Sequence, residues 1–197
     1  MKLSDIKTII KSVPIIIAVA LYLIFKPDNS DDVTITAADA AAQTGTELYE
    51  VRYLDASDGD TINVEVDGQK ERVRLLMVDT PEMNYKENNP QPYAEEAKQF
   101  TIELLENAKK VELLHDKGDK TDHYDRLLAY VFVDGVLLQE RLLAEGFAAV
   151  RYMNEPNNTL ESQFYDIQDV AKEAKQNIWS VDGYFDAKAG FQDDVIK

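Results

Sequence analysis

Acidic side chains are concentrated in two short segments that could hold a divalent cation. Residues 58–60 are Asp-Gly-Asp, and residues 79–82 are Asp-Thr-Pro-Glu, directly after an apolar run. Asp-Gly is common in turns for conformational reasons, so the first segment taken alone indicates only a turn. Carboxylates that converge from neighbouring strands, together with a backbone carbonyl, form the oxygen ligand set that Ca²⁺ prefers. The two segments together therefore indicate a candidate calcium site.

Two arginines stand at the edges of apolar segments. Arg74 directly precedes the apolar run 75–78, and Arg126 ends the polar stretch 121–126 before the next apolar segment. Either could be an ordinary surface or ion-paired arginine. Two planar guanidinium groups facing an acidic metal site would also clamp a phosphodiester through paired N–H donors. The residue types alone leave both interpretations open.

Other metal and nucleophile chemistries have weak support in this sequence. The chain has no cysteine, which excludes a disulfide framework, a cysteine-based zinc site and a thiol nucleophile. His115 falls in an apolar stretch and is predicted to be a core or rim residue. His123 lies in a polar loop without a partner at metal-ligand spacing. An oxygen-ligated cation remains the better supported metal chemistry.

Alternating apolar residues and short apolar runs predict the strands that must position these groups. Five short strands are predicted, around residues 49–53, 62–66, 73–78, 111–115 and 127–133. Asp67-Gly68 is a strong hairpin signal, and Asp134-Gly135 marks another turn. The first three strands are therefore expected to form a meander before residue 80.

Three helices are predicted from apolar residues at helical spacing. They cover about 93–108, about 138–143 with a C-cap near Gly146, and about 160–178 with Asn158 or Thr159 at its start. Short strands with inserted and appended helices predict an α+β fold. We expect a five-stranded OB-type β-barrel with three helices, preceded by an N-terminal hydrophobic helix and a linker.

The first 26 residues predict an export segment. Lysines precede the uncharged run 13–25, whose length is typical of a signal-peptide core. No small-residue cleavage site follows directly, and Ala38-Asp39-Ala40 lies far downstream. Counted from Ile9, the segment also fits an uncleaved membrane anchor, because the Lys11 side chain can reach toward the lipid headgroups. The absence of a nearby cleavage site favours this interpretation. Either way the rest of the chain is expected outside the cell, secreted or tethered to the outer face of the membrane.

Composition divides the remainder into three parts. Residues 27–48 are rich in Asp, Thr and Ala without an apolar period, which predicts a flexible linker. Residues 49–180 carry the predicted strands and helices and form the expected domain. Residues 181–197 are a C-terminal extension with Tyr184, Phe185 and Phe191, so this segment is expected to pack back onto the domain.

The net charge argues against an extensive basic interface. The 197 residues carry a formal charge of −16, whereas contacts with nucleic-acid phosphates normally require a basic face. An acidic surface that favours solubility explains the charge most simply, and a salt-rich habitat is the alternative. Net charge leaves room for a local basic cleft, and an acidic chain suits the binding of divalent cations.

The three chemistry-bearing segments closely resemble the pattern of the staphylococcal nuclease (thermonuclease) family in content, order and spacing. They are Asp-Gly-Asp-Thr at 58–61, Arg-Leu-Leu-Met-Val-Asp-Thr-Pro-Glu at 74–82 and Thr-Asp-His-Tyr-Asp-Arg at 121–126. Further similar segments occur at 107–110, 156–159 and 177–180. The resemblance covers about residues 50–180.

This resemblance implies a metal site and a general base. Asp60 and Asp79 would ligate Ca²⁺ through their carboxylates, and Thr80 through its backbone carbonyl. Glu82 would position and activate the attacking water. The implied activity is that of a calcium-dependent nuclease; with the export segment it is expected to act outside the cell, and a monomer is expected.

The same resemblance assigns substrate contacts. Arg74 and Arg126 would hold the phosphate and stabilise the charge that develops on its oxygens. Tyr124 would contact the substrate, and Tyr152 would add a stacking face. The implied reaction hydrolyses DNA or RNA, preferably single-stranded, at the 5′-oxygen side and leaves 3′-phosphates.

The sequence also departs from the family pattern. Asp125 stands where the family usually has glycine, so an extra carboxylate could pair with Arg126 or repel phosphate. Asn154 replaces a family tyrosine, and loop 83–92 lacks the family's run of lysines except for Lys86. Weaker, more salt-sensitive substrate binding is expected. The alternatives are a catalytically weak or inactive OB-fold protein that binds nucleic acid and, more remotely, a structural calcium-binding surface protein.

Overall fold

The structure, a computed structural model, describes residues 35–195. The predicted export segment and residues 27–34 of the predicted linker lie outside the described residues. None of the helices within 35–195 combines the length and apolar character that crossing a bilayer requires.

Ten short strands lie in the described part of the chain: β1 Tyr49–Ala56, β2 Thr61–Val66, β3 Gln69–Leu75, β4 Val78–Asp79, β5 Val111–Leu114, β6 Leu127–Val133, β7 Val136–Leu137, β8 Ala149–Val150, β9 Phe185–Asp186 and β10 Gly190–Phe191. Four α-helices accompany them: α1 Ala37–Thr44, α2 Ala94–Glu106, α3 Leu138–Ala144 and α4 Glu161–Glu173. Two 3₁₀ turns, Asn177–Ser180 and Asp193–Val195, lie near the C-terminus.

Five of the strands close into a barrel. Strands β1, β2 and β3 form the expected antiparallel meander, and β1 also pairs with β5, which pairs with β6. A parallel pairing between β3 and β6, with Val73 opposite Leu127, closes the ring. A register shift between Tyr53 and Asp55 bends β1. The first part of β1 pairs with β5, and the second part pairs with β2. The predicted α+β fold with a five-stranded barrel is confirmed.

The hairpin turns form where the sequence predicts them. Asp67 and Gly68 both adopt positive φ angles, 50° and 80°, and join β2 to β3. Asp134 and Gly135 do the same at 51° and 85° between β6 and β7. Two consecutive residues with positive φ match the right-handed twist of the flanking strands, and Asp-Gly tolerates them at low cost.

Aliphatic side chains that alternate along the strands fill the barrel. The fully or almost fully buried ones include Val51, Ile62, Val64, Val73, Leu75, Leu113 and Val131. Helix α3 packs Leu138, Leu142 and Leu143 against the same core, and Gly146 follows it with φ 68°, in line with the predicted C-cap. The barrel is thus a rigid base for the loops at its rim.

The predicted strand 73–78 is interrupted. Strand β3 ends at Leu75, and Met77 adopts φ 60°, which redirects the chain before β4 begins at Val78. Strand β4 then pairs with β8 in a separate two-stranded sheet, with Asp79 opposite Ala149. An apolar run indicates burial but not a change of strand direction. The sequence therefore predicted one strand where the structure has two.

The helix predictions need three corrections. Helix α4 ends at Glu173, and Asn177–Ser180 continues as a separate 3₁₀ turn. Neither Asn158 nor Thr159 caps it; the N-cap is Leu160, without a side-chain cap hydrogen bond, and the Thr159 hydroxyl donates to Asp116. The described chain has a fourth helix, α1, inside the predicted flexible linker.

Helix α1 is held by the barrel, so the linker prediction is wrong for residues 35–44. Thr36 caps α1 by accepting from the backbone N–H of Asp39, and Gly45 closes it with φ 71°. Ile35 and Ala40 are buried in the main core. Alanine-rich sequence has high helix propensity, and contact with a core supplies the stability that such a short helix lacks alone.

The C-terminal extension packs back onto the domain, as its aromatic residues predicted. Strands β9 and β10 form a hairpin, and Tyr184 is completely buried. Tyr184 belongs to a second apolar cluster with Ala149 and Ile178, against which Phe185 and Phe191 pack. Because Ala149 lies in β8, this cluster adjoins the strand that pairs with Asp79.

Candidate active site

Asp60 is buried in the turn between β1 and β2, with an exposed fraction of 3%. Its Oδ2 atom accepts from the backbone N–H of Thr80 at 2.8 Å and from the Thr80 hydroxyl at 3.1 Å. Gly59 permits this close approach, because a Cβ atom at that position would lie 2.9 Å from Thr80 Cγ2 and 3.0 Å from Ala97 Cβ. The two acidic segments are therefore in direct contact.

Asp79 and Thr80 are buried at the end of β4, with exposed fractions of 4% and 1%. Met77 has a left-handed backbone conformation, and β4 pairs with β8, so the chain leaves the barrel at this segment. Asp79 accepts through Oδ2 from Arg151 Nη1 at 2.8 Å. Its other oxygen, Oδ1, faces a different arginine.

Arg74 joins the two carboxylates. Its Nη2 atom lies 3.3 Å from Asp60 Oδ2 and 3.2 Å from Asp79 Oδ1, which shows that both acids converge on one small volume. Its Nη1 atom donates to the carbonyl oxygens of Val78 at 2.6 Å and Leu75 at 2.9 Å. Arg74 is therefore ion-paired and fixed, and it also lines the pocket described below.

Burial and neighbouring carboxylates raise the pKa values of three carboxyl groups around this pair. Burial and the nearby charges of Asp60 and Glu82 raise the pKa of the Asp58 carboxyl to about 8. Burial and Asp60 raise the pKa of Asp79 despite the opposing effect of Arg151 and Arg74. Desolvation at its position beside the pocket, with the charges of Asp60 and Asp79, raises the pKa of Glu82. Desolvation and repulsion between the carboxylates therefore outweigh the effect of the arginines on these pKa values.

Arg126 is held in a fixed orientation by Asp122. Its Nε and Nη2 atoms both lie 2.8 Å from Asp122 Oδ2, and its backbone N–H donates to Asp122 Oδ1 at 3.0 Å. The guanidinium carbon lies 5.5 Å from the centre of the exposed Tyr124 ring. The carboxylate paired with Arg126 is therefore Asp122 and not the neighbouring Asp125.

Asp125 occupies a left-handed backbone position, with φ 58°. Its backbone N–H donates to the carbonyl of Asp122 at 3.1 Å and closes a tight turn just before Arg126. Glycine reaches such φ values without steric cost, and Asp tolerates them better than most other residues. The turn geometry thus explains why glycine suits this position and why Asp can replace it.

A pocket of about 390 Å³ brings these groups together. Its lining includes Arg74, Asp79, Glu82, Asp122, Tyr124, Arg126, Tyr152, Asn154 and Asn157. Tyr152 is 52% exposed, and its ring lies 5.6 Å from the guanidinium carbon of Arg74 and 4.7 Å from that of Arg151. Acids, guanidinium groups and exposed aromatic rings in one pocket suit an anionic substrate with flat groups.

Comparison with known proteins gives the family. Residues 72–181, more than half of the chain, match the family model described as "Staphylococcal nuclease homologue". The chain belongs to the staphylococcal nuclease family. Among similar proteins, endonuclease YncB of Bacillus subtilis (strain 168) is 50% identical over 137 residues, which cover 70% of this chain and 64% of YncB. The SPbeta prophage-derived endonuclease YokF of the same organism is 47% identical over 138 residues, 70% of this chain and 46% of YokF.

A thermonuclease of Staphylococcus intermedius is 37% identical over 167 residues, which cover 84% of this chain and 94% of that protein. The match thus spans nearly the whole staphylococcal protein but less than two thirds of YncB and YokF. The family resemblance drawn from the three segments is confirmed.

The structure brings the predicted site residues of this staphylococcal nuclease homologue into one region. The proposed calcium ligands Asp60, Asp79 and Thr80 contact one another or Arg74. Glu82, Arg126, Tyr124 and Tyr152 line the adjoining pocket. His115 is buried between Leu128 O and the Tyr49 hydroxyl, as its apolar context predicted.

Sequence reasoning missed Arg151 and the role of Asp122. Arg151 reaches Asp79 only because β8 pairs with β4, and two-residue strands leave no periodic signal. Asp122 lies four residues before Arg126, a spacing that allows a carboxylate to accept from the arginine across a tight turn. The polar composition of 121–126 indicated a loop but not this pairing.

The acidic groups suit a hard cation by donor chemistry. Within residues 35–195, no three side chains of His, Cys, Asp or Glu form a group that could hold a metal ion. The ligand set that the family resemblance implies has two carboxylates, Asp60 and Asp79, and the backbone carbonyl of Thr80. Ca²⁺ takes 6–8 oxygen ligands and accepts carbonyls and waters beside carboxylates, so this set fits as part of a shell that solvent or substrate completes.

Proposed function

We propose that this protein is a calcium-dependent nuclease that hydrolyses phosphodiester bonds of DNA and RNA at the 5′-oxygen side, leaving 3′-phosphates. One observation carries the proposal: the Arg74 guanidinium joins two buried carboxylates at 3.3 and 3.2 Å beside a pocket that Glu82 and Arg126 also line. The family membership and the names of the relatives, endonuclease and thermonuclease, support the same activity.

Asp60, Asp79 and the carbonyl of Thr80 would hold Ca²⁺. When bound, the cation supplies electrostatic stabilisation of the charge on the phosphate oxygens and reduces repulsion of an incoming nucleophile. The hydrogen bonds from Thr80 to Asp60, and from Arg151 to Asp79, orient the two carboxylates. Oriented ligands lower the entropy lost on binding.

Glu82 is the proposed general base. Its side chain lines the pocket, and its backbone is fixed because its N–H donates to Gln91 Oε1 at 2.7 Å while its carbonyl accepts from Gln91 N–H at 2.9 Å. The raised pKa of Glu82 makes its carboxylate a better proton acceptor than an ordinary glutamate. Glu82 would take a proton from the attacking water.

The arginines and tyrosines would bind the substrate. Arg126 presents a planar guanidinium that Asp122 fixes on one side, and Arg74 places charge beside the acids. Exposed rings of Tyr124 and Tyr152 offer stacking faces for unpaired bases. Stacking requires bases free of a duplex, so we propose a preference for single strands.

A cleavage assay tests this function. The full chain should degrade single-stranded DNA and RNA in the presence of Ca²⁺ and stop when EDTA is added, and end analysis should show 3′-phosphates. Binding of nucleic acid without cleavage, with calcium binding intact, would support the alternative of an inactive OB-fold binder. Cleavage that is unaffected by EDTA would contradict calcium dependence.

Replacing Asp125 should strengthen substrate binding. Asp125→Asn removes a negative charge beside Arg126 and tolerates the left-handed φ of 58°. We expect KM for single-stranded DNA to fall about twofold to fivefold at low ionic strength, and the difference to shrink with salt. Asp125→Gly is the matched variant, because it removes the charge and any backbone strain together. If Asn leaves KM unchanged at every salt concentration while Gly lowers it, strain and not charge limits binding.

We also propose that the protein acts outside the cell. The support is the charge pattern of the first 26 residues, which fits a signal peptide or an anchor. Cell fractionation followed by N-terminal sequencing of the mature protein should find it in the medium or on the outer face of the membrane. Recovery of the full chain from the cytoplasm would contradict export.

A further inference from the structure

Arg151 contacts the proposed calcium site through the carboxylate oxygen of Asp79 that Arg74 does not face. Its Nη1 atom donates to Asp79 Oδ2 at 2.8 Å, whereas Arg74 faces Asp79 Oδ1. Its guanidinium carbon lies 4.7 Å from the centre of the Tyr152 ring. Arg151 therefore contacts one proposed metal ligand and one proposed substrate-binding residue.

The C-terminal hairpin holds the other end of this guanidinium. Arg151 Nη2 donates to the carbonyl of Lys188, in the turn between β9 and β10, at 3.1 Å. Gly190 lies so close that a Cβ atom there would stand 2.3 Å from Arg151 Nη1. Any residue larger than glycine at position 190 would displace the guanidinium from Asp79.

The same C-terminal segment contacts the proposed base by a second route. Gln91 forms two hydrogen bonds with the backbone of Glu82. Its Nε2 atom donates to Asp193 Oδ1 at 3.0 Å. The buried Tyr184 donates its hydroxyl to the carbonyl of Pro92 at 2.6 Å. The segment 183–195 is thus connected both to Asp79 and to the loop that carries Glu82.

We propose that Arg151 is a positioning residue, and that the C-terminal hairpin acts through it to orient Asp79 for calcium. The two carboxylate oxygens of Asp79 face two different arginines. Arg151 thereby prevents both oxygens of Asp79 from pairing with the guanidinium group of Arg74. Hydrogen bonds that orient a ligating carboxylate typically contribute about 10- to 100-fold in metal affinity or activity. The inference rests on the proposed calcium site.

Calcium titration of two variants tests this role. Arg151→Gln and Gly190→Ala should each weaken calcium binding, measured by calorimetry on the metal-free protein, by about tenfold. Arg151→Lys, which keeps a charge but loses the fork, should recover part of the affinity. Unchanged or tighter binding in Arg151→Gln would overturn the proposal, because it would show that the positive charge only repels the cation.

A matched glycine variant separates displacement of Arg151 from backbone strain. Gly183 has a left-handed φ of 78° like Gly190 at 88°, but a Cβ there would meet only Val195 Cγ1 at 4.0 Å. Gly183→Ala should therefore leave calcium affinity within about twofold of the wild type. In the double variant R151Q/G190A the loss should be no larger than in either single variant, because both remove one interaction. Losses that multiply would show that the hairpin acts by another route.

Hydrogen exchange of the metal-free protein tests the contact apart from calcium. Arg151→Gln should speed exchange of hairpin amides, for instance Gln192 N–H, which donates to Tyr184 O at 2.8 Å. Unchanged exchange would overturn the proposed link between Arg151 and the hairpin. A wild-type protein that binds no calcium would instead contradict the proposed function.

Discussion

Replacing Glu82 by glutamine should lower kcat on single-stranded DNA by about 10²- to 10⁴-fold, the usual contribution of a positioned general base. Glutamine has almost the same shape but cannot accept the proton of the attacking water. The backbone of residue 82 is held by Gln91 through two hydrogen bonds, and the side chain is exposed, so the substitution should not disturb the fold. KM and the melting temperature should stay close to those of the wild type.

Glu87→Gln provides the matched control. Glu87 lies in the same loop and is exposed, and its backbone N–H donates to Asn84 O at 3.1 Å. The Glu87→Gln substitution removes the same charge at a residue outside the pocket lining. It should leave kcat within about twofold of the wild type. Full activity of Glu82→Gln would contradict the assignment of Glu82 as the base. A large rise in KM with unchanged kcat would assign Glu82 to binding instead.

The barrel was predictable from sequence because its determinants are local and repeated. Alternating apolar residues and short apolar runs predicted the five barrel strands, and Asp-Gly pairs predicted two turns that the structure forms with positive φ at both residues. Each of these signals depends on a few neighbouring residues. Closure through the parallel pairing of β3 with β6 follows once the strands and their order are known.

The support around the site was not predictable, because it depends on contacts distant in sequence. Arg151 meets Asp79 across 72 positions, and Gln91 meets Asp193 across 102. Strands β4, β8, β9 and β10 have two residues each, too few to show a period. The sequence therefore identified the groups that carry charge, while the groups that orient them became visible only in the fold.

Helix α1 was predicted to be part of a flexible linker, although the structure holds it against the barrel. Its sequence is polar and rich in alanine, which is typical of both short helices and linkers. The deciding contacts are burial of Ile35 and Ala40 and the bridge between Thr36 and Val136, 100 residues away. Composition alone cannot distinguish a docked helix from a free segment.

Replacing Arg126 by lysine should lower kcat by about 10²- to 10³-fold even though the positive charge stays, a loss typical of removing one donor that stabilises the transition state. Arg126 is oriented because Nε and Nη2 both lie 2.8 Å from Asp122 Oδ2, which leaves the rest of the planar group to face the pocket. Lysine has one ammonium group, so pairing with Asp122 would consume the contact that the phosphate needs.

Arg52→Lys is the matched control for the loss of a fork. Arg52 also directs Nε and Nη2 at one carboxylate, that of Glu65 at 3.3 and 2.6 Å, but this pair lies on the exposed face of β1 and β2. Activity of Arg52→Lys should be unchanged within about twofold, since exposed ion pairs contribute little. If Arg126→Lys also kept full activity, the phosphate-clamp assignment would be wrong. If Asp122→Asn then lowered kcat about as much as Arg126→Lys while calcium binding stayed intact, orientation as well as charge of the guanidinium would be required for catalysis.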